Sequence, residues 1–317
     1  MSTPEKPALE TSVAGRESGA KVVVITGASV GLGLAIARQL LDDDRLHLVL
    51  TARAESLARF ADVGIRASDR VWLRALDITD AAQRRAVVEE VQAELGGVDT
   101  LINNAGITYR TVAEYATAAE LSHQMLVNYE GPMALAALVL PSMRRRRGGH
   151  IIQISSAGGL MAMPTMGLYS ASKFALEAAS EAMNYEVRPF GVQVTLVLPG
   201  FVHSTAYRNS VVGKLSRAAT EQVDDPYHPH FANMDRLIRR LMRLTSATPE
   251  SVAASVVKAM RRRRAPLRIL ATWDARLLWW FRRFTPQPAY IWLTYHLLPR
   301  VRTWGQGRDS EPVLPAG

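Results

Sequence analysis

The 317-residue chain predicts an α/β protein with a doubly wound parallel sheet. Two observations carry this. Short β-branched runs alternate with longer helical stretches from Lys21 to Ala271, and a glycine-rich turn joins the first run to the first helical stretch. Strands that alternate with helices in this way build parallel sheets.

Lys21–Thr26 (KVVVIT) reads as a buried strand, and Leu34–Leu41 continues as a helix. His47–Thr51 is a second strand. Val71–Leu76 is a third, ending at Asp77. Ala81–Leu95 is a helix, and Thr100–Ile102 is a fourth strand that runs into Asn103-Asn104-Ala105-Gly106. Ala116–Met143 reads as one long helix with a break near Gly131-Pro132. His150–Ser155 is the fifth strand, Tyr169–Val187 a helix, and Gln193–Leu198 the sixth strand, closed by Pro199-Gly200. Between Phe201 and Ala247 the rhythm stops, and a segment that long without strands is a lid or a disordered loop. Thr248 then reads as an N-cap with Pro249 at the first helical position. That helix runs to Arg261–Arg264, and Leu267–Ala271 is a short strand. Residues 1–19 are expected to form a flexible leader. Residues 20–271 form a single domain with a lid at 201–247, and 272–317 form a basic, aromatic tail.

Hydrophobic residues are 48% and charged residues 21% of the chain, which excludes a mainly disordered protein. Cys is absent, which excludes disulfides, thiolate metal sites and a Cys nucleophile. No uncharged stretch reaches the ~18–20 apolar residues that span a bilayer, and the N-terminus lacks a basic-then-apolar signal pattern. The expectation is a cytoplasmic protein, with a peripheral contact at the inner face of the membrane as one of two readings of its tail.

The formal charge of +9 is concentrated at one end. Residues 258–317 hold 12 Lys/Arg against 3 Asp/Glu, leaving the rest neutral, and five of the 6 Trp lie there too. Arg144–Arg147 and Arg261–Arg264 close predicted helices, where the helix dipole favours cations. With a neutral body and no accompanying motif, no nucleic-acid partner is expected. From Trp273 to Trp304, LLWWF and AYIWLTYHLL alternate with Arg276, Arg282, Arg283, Arg300 and Arg302. This pattern fits an interfacial membrane contact. It fits equally a cap on the body or on a second subunit.

Thr26–Gly33 (TGASVGLG) places Gly27, Gly31 and Gly33 after a strand and at the mouth of a helix. Backbone N–H groups there favour a pyrophosphate. An NAD-preferring site would carry an acid at the end of the second strand, but the chain has Thr51-Ala52-Arg53. Arg53 favours a 2′-phosphate, and hence NADP(H) over NAD(H). Tyr169 and Lys173 stand four apart on a predicted helix and share one face. The ammonium is expected to lower the phenol pKa. Ser156, just past the fifth strand, reaches the same crevice. Leu160, Met161, Met163, Met166 and Leu168 lie between Ser156 and Tyr169. They would line an adaptable apolar pocket or serve as packing. No metal site is expected.

Together, Thr26–Gly33, Asn103–Gly106, Asn128, Ser156, Tyr169, Lys173 and Pro199-Gly200 resemble the short-chain dehydrogenase/reductase family over about Lys21 to Ala271. The resemblance implies a Rossmann-type sheet of about seven strands and a homo-oligomer. It implies that Tyr169 gives or takes the proton, Lys173 holds the nicotinamide ribose, Ser156 positions the substrate oxygen, and Asn128 supports a water-linked relay. Gly27, Ser29, Val30, Gly31 and Gly33 would line the pyrophosphate. Asp77 would meet the adenine, and Asn104 and Gly106 would flank the cofactor. Pro199, Gly200, Val202 and Ser204 would meet the carboxamide. Val30 stands where many NADP-preferring members carry a basic residue. The implied activity interconverts carbonyl and alcohol on a lipophilic substrate of steroid, retinoid or long-chain type, with Ser156, Met161, Met163 and Tyr169 at the substrate. The alternative is a non-catalytic NADP(H)-binding sensor that recruits a membrane or partner.

Overall fold

The computed structural model describes residues 19–203 and 210–305. Seven parallel strands form one sheet: β1 (Lys21–Ile25), β2 (Leu46–Ala52), β3 (Val71–Ala75), β4 (Thr100–Asn103), β6 (Gly149–Ile154), β7 (Val192–Leu198) and β9 (Arg268–Leu270), ordered β3-β2-β1-β4-β6-β7-β9. The chain builds outward from β1 to β3, then returns to place β4 on the other side of β1. The β1/β4 gap is therefore the topological switch point, where sheets of this kind bind ligands.

The strands are continuous apolar runs because helices cover both faces. Val23 and Ile25 point into one core with Ile36 and Leu40 of α1 (Gly31–Leu40) and with Val252 and Val256 of α9 (Pro249–Met260). Val22 and Val24 point into the other. That core holds Val91 of α3 (Ala81–Leu95), Leu135 and Val139 of α5 (Gly131–Arg146), and Met183 of α6 (Gly167–Val187). A short helix α2 (Arg59–Asp62) buries Phe60 under β2. Thr248 caps α9 as expected, and Ser251 closes the capping box.

One expectation is sharpened and another changes. The break expected near Gly131-Pro132 is a change of helix type: α4 (Ala118–Met125) and α5 are joined by a π-helical turn at Leu126–Glu130 in which the Gly131 N–H bonds to Leu126 O. Pro132 cannot donate a helix hydrogen bond, and the wider turn lets the helix continue through it. The segment from Phe201 to Ala247 is not without structure. Among its described residues, β8 (Val211–Val212) pairs with β5 (Tyr109–Arg110), and α7 (Ser216–Glu221) and α8 (His228–Leu244) follow. Ala219 and Phe231 pack on Val112 and Tyr115, and Arg110 pairs with Asp235 at 2.9 Å. The tail forms α10 (Trp273–Phe284) and α11 (Gln287–Leu297). Its far end returns to the body, where Trp304 lies 4.4 Å from the His230 ring.

His150 on β6 is 4% exposed, with Nε2 2.9 Å from Thr195 Oγ1. Thr195 donates its own proton to Pro266 O, so His150 Nε2–H is the donor. Nδ1 is buried and has no partner, and burial pushes the pKa down from 6.5 to about 4. Because the unfolded chain takes the proton first, this contribution to stability is intact above pH 6.5 and is lost as the pH falls towards 4. The loss at the acid end is about 3 kcal/mol. Urea unfolding at pH 7 and at pH 4.5 should differ by most of that amount in the wild type. The difference should shrink correspondingly in His150→Gln.

Candidate active site

The switch point is held by side chains bonded to main-chain groups. Thr26 Oγ1, just past β1, accepts from the N–H groups of Asn104 and Ala105, both at 2.9 Å. Asn104 Nδ2 returns bonds to Thr26 O and Gly27 O at 2.9 and 3.1 Å. Gly31 has φ +57, which favours glycine, and a Cβ on Gly33 would stand 2.3 Å from Gly27 O. The α1 helix starts here with no side-chain cap and no acid in its first turn. Its free N–H groups therefore suit a pyrophosphate, and the close turn suits the approach of one. Ser29 is buried within the turn, while Val30 is 48% exposed at its mouth.

Asn128 lies within the π-helical turn and is fully buried. Its Oδ1 accepts from Ile107 N–H, and its two amide protons go to Ile107 O and Ser172 Oγ, at 2.9, 2.9 and 3.0 Å. Ser172 donates in turn to Tyr169 O at 2.7 Å. The Asn128 side chain thus ties the segment after Gly106 to the helix that carries Tyr169.

Ser156 follows β6 and accepts from Gly158 N–H at 3.0 Å. Its hydroxyl lies near enough to the Tyr169 phenol to favour the phenolate. Lys173, 6% exposed, donates to Ile154 O at 2.8 Å and stands 5.9 Å from the Tyr169 ring centroid. Burial pushes its pKa down to about 8, against the pull of Glu177. The Tyr169 phenol differs from expectation. Its pKa is raised, because burial disfavours the phenolate more than the Ser156 hydroxyl favours it. Lys173 is aimed at Ile154 O and does not offset that burial. Tyr169 therefore keeps its proton at neutral pH, the form that donates to a carbonyl oxygen.

At the far end, Arg53 follows β2, pairs with Glu55 at 3.1 Å, and helps lower the Asp77 pKa, although Thr79 contributes most. Asp77 accepts from the Thr79 N–H and hydroxyl at 2.8 and 2.7 Å. Pro199 O accepts from Ala157 N–H at 2.7 Å, which fixes the end of β7 beside Ser156. Val202 packs half-buried against the core, and Ser204 lies outside the described residues. Met161 and Met163 are half-buried on the loop between Ser156 and Tyr169. That loop also holds Thr165 at φ +65, a strained position for a β-branched residue.

The structure thus gathers Gly27, Gly33, Asn104, Gly106, Asn128, Ser156, Tyr169 and Lys173 along one crevice. Sequence reasoning missed Thr26, Ser172, Glu177, Thr272 and Asp274. Thr26 was visible as the first letter of the glycine-rich turn. Asp274 had no local signal, since its contact lies 73 residues away at Phe201.

The fold and site define a nicotinamide-dinucleotide oxidoreductase. A family model described as short chain dehydrogenase matches residues 21–215, and the chain belongs to that family. A 3-ketodihydrosphingosine reductase of Bacteroides thetaiotaomicron is 36% identical over 78% of this chain and 86% of its own. Retinol dehydrogenase 8 of Bos taurus is 31% identical over 78% of this chain and 80% of its own. A solved short-chain dehydrogenase from Streptomyces avermitilis superposes with TM-score 0.72 at 32% identity, over 83% of this chain and 92% of that one. The chain is an NAD(P)-dependent oxidoreductase.

A dinucleotide held at the switch point by the glycine-rich turn and Asn104 would supply or accept the hydride. The arrangement would allow the Ser156 hydroxyl to hold a substrate oxygen and Tyr169 to pass it a proton. General acid catalysis of this kind is worth about 10²–10⁴-fold. Tyr169→Phe should lower turnover by at least that much while cofactor affinity, read by nucleotide fluorescence, stays the same.

Proposed function

We propose that the chain is an NADP(H)-dependent oxidoreductase that interconverts carbonyl and alcohol on a lipophilic substrate at the surface of an anionic membrane. The observation that carries the chemistry is a protonated Tyr169 beside Ser156, with Lys173 one helical turn away. A sensor would need none of the three.

Support for a lipophilic substrate comes from the half-buried Leu160, Met161, Met163 and Met166 beside Tyr169. The names of the relatives above, a ketone of sphingosine type and a retinol, point the same way. Steroid, retinoid and long-chain carbonyls share that chemistry.

Support for NADP(H) is Arg53, whose ion-pair partner among the described residues, Glu55, is as exposed as Arg53 itself, at 63% each. Exposed pairs of this kind are worth little, so a 2′-phosphate displaces the carboxylate readily. Arg53→Ala should weaken NADPH about tenfold, the worth of one charge-assisted hydrogen bond, and leave NADH nearly unchanged. Equal wild-type affinities for the two cofactors in isothermal titration would refute the reading.

Membrane contact is supported by the outer face of the tail. Trp273, Leu277, Trp280 and Phe284 line one face of α10, and Ile291, Trp292 and Tyr295 stand out on α11, all more than half exposed. Arg276, Arg282 and Arg283 share α10 with them. Among the described residues, no helix is long and apolar enough to cross a membrane. The hairpin would lie in the interface, where aromatic side chains and Arg both find favourable surroundings. The protein should sediment with vesicles containing phosphatidylserine, release in high salt, and ignore phosphatidylcholine vesicles. Trp280→Glu with Trp292→Glu should abolish the binding. If the double variant instead dissociates an oligomer and leaves vesicle binding intact, the face is a subunit contact and the membrane reading fails.

A further inference from the structure

The start of α10 reaches into the site. β9 runs parallel to β7, with Leu270 beside Leu198, and Ala271 N–H bonds to Leu198 O at 3.0 Å. Both strands therefore end at the same edge, and the segments that follow them run side by side. Thr272, 5% exposed, accepts from Gly200 N–H at 2.9 Å while capping α10 through Ala275 N–H. Asp274, 8% exposed, accepts from Phe201 N–H at 2.6 Å through Oδ2. A Cβ on Gly200 would stand 2.0 Å from that oxygen, so the approach requires glycine.

The loop so gripped carries the Pro199-Gly200 pair. Its Pro199 carbonyl accepts from Ala157 N–H, one residue past Ser156. Thr245 Oγ1 holds Phe201 O at 3.0 Å, and His203 N–H bonds to Ala247 O at 2.7 Å. Among these bonds, only those to Thr272 and Asp274 take up the main-chain N–H groups of Gly200 and Phe201. Asp274 Oδ1 is buried with no hydrogen-bond partner among the described residues. A carboxylate is costly to bury in that state. The bond to Phe201 offsets part of that cost and keeps the side chain directed at the loop.

We infer that Thr272 and Asp274 are positioning residues for the nicotinamide end of the cofactor, acting through the Gly200 and Phe201 amides. The inference rests on reading the switch point as the dinucleotide site. It places the first turn of the tail in the catalytic machinery, beyond the strand-to-strand body that carries every family motif. The adenine end, at Arg53 and Asp77, lies on the other side of β1 and receives nothing from α10.

That separation supplies the test. Binding of NADPH and of 2′-phospho-ADP-ribose, which lacks the nicotinamide, is measured by isothermal titration, with NADH and ADP-ribose in parallel. Thr272→Val and Asp274→Ala should each weaken the full dinucleotide about tenfold, leave the truncated probe within twofold, and lower kcat. Thr272→Ser, which keeps the acceptor, should restore wild-type affinity. Should Asp274→Ala fail to fold, the Thr272 pair decides alone. Equal losses for both probes would show general loosening and overturn the inference, as would unchanged dinucleotide binding. A wild type that binds neither probe overturns the dinucleotide reading along with it.

Discussion

All seven strands of the sheet point the same way, so their carboxyl ends crowd one edge, and each leaves main-chain groups there without a ladder partner. The site is built by answering those groups with side chains. Thr26 takes the N–H groups past β4, and Asn104 returns to the carbonyls past β1. Lys173 takes the last carbonyl of β6, and Thr272 takes the Gly200 amide past β7. Each bond satisfies a buried polar group and also locates a functional one. Removing any of them costs packing and geometry together, since an unsatisfied buried group carries about 1–3 kcal/mol.

The same crowding sets the charge balance. Lys173 is buried and held below its ordinary pKa. Glu177, one helical turn further on, is buried too, and its pKa is raised by that burial against the opposing pull of Arg268. Arg268 then bonds to both Glu177 and Glu181, at 2.8 and 2.6 Å. The charges alternate from Lys173 through Glu177 and Arg268 to Glu181 at the surface. A buried ammonium is tolerable only with such compensation, because a lone buried charge is heavily penalised. Arg268 belongs to β9, so the last strand is coupled to the lysine as well as to the cofactor loop.

Local pattern made much of this legible. The glycine-rich turn, the i, i+4 pair of Tyr169 and Lys173, and the cap at Thr248 depend on neighbours within a few residues, and the structure places them as read. What depended on distant partners was hidden. The raised pKa of Tyr169 follows from desolvation, which no spacing encodes. The π-helical turn at Asn128 arises where Pro132 meets a helix that must still reach Ile107. Residues 201–247 looked featureless because α8 buries only Phe231, Asn233, Met234 and Ile238 between Arg-rich turns. Val112 and Tyr115, the partners of Phe231, lie more than a hundred positions earlier in the chain.

The tail shows how one helix can serve two surroundings. In its first turn Asp274 is 8% exposed and grips the cofactor loop, while the adjacent Trp273 is 58% exposed. Consecutive helical residues point about 100° apart, so a single turn faces inward and outward at once. If the outer face lies in a membrane, as proposed, the interface begins within one residue of the clasp on Gly200 and Phe201. A lipophilic substrate leaving that surface would then have a short path to Ser156, whose turn is bonded to the same loop through Pro199. The basic, aromatic composition of residues 273–304 and their place directly after β9 are then two parts of one arrangement. The strand fixes where the helix starts, and its exposed residues fix what that helix can touch.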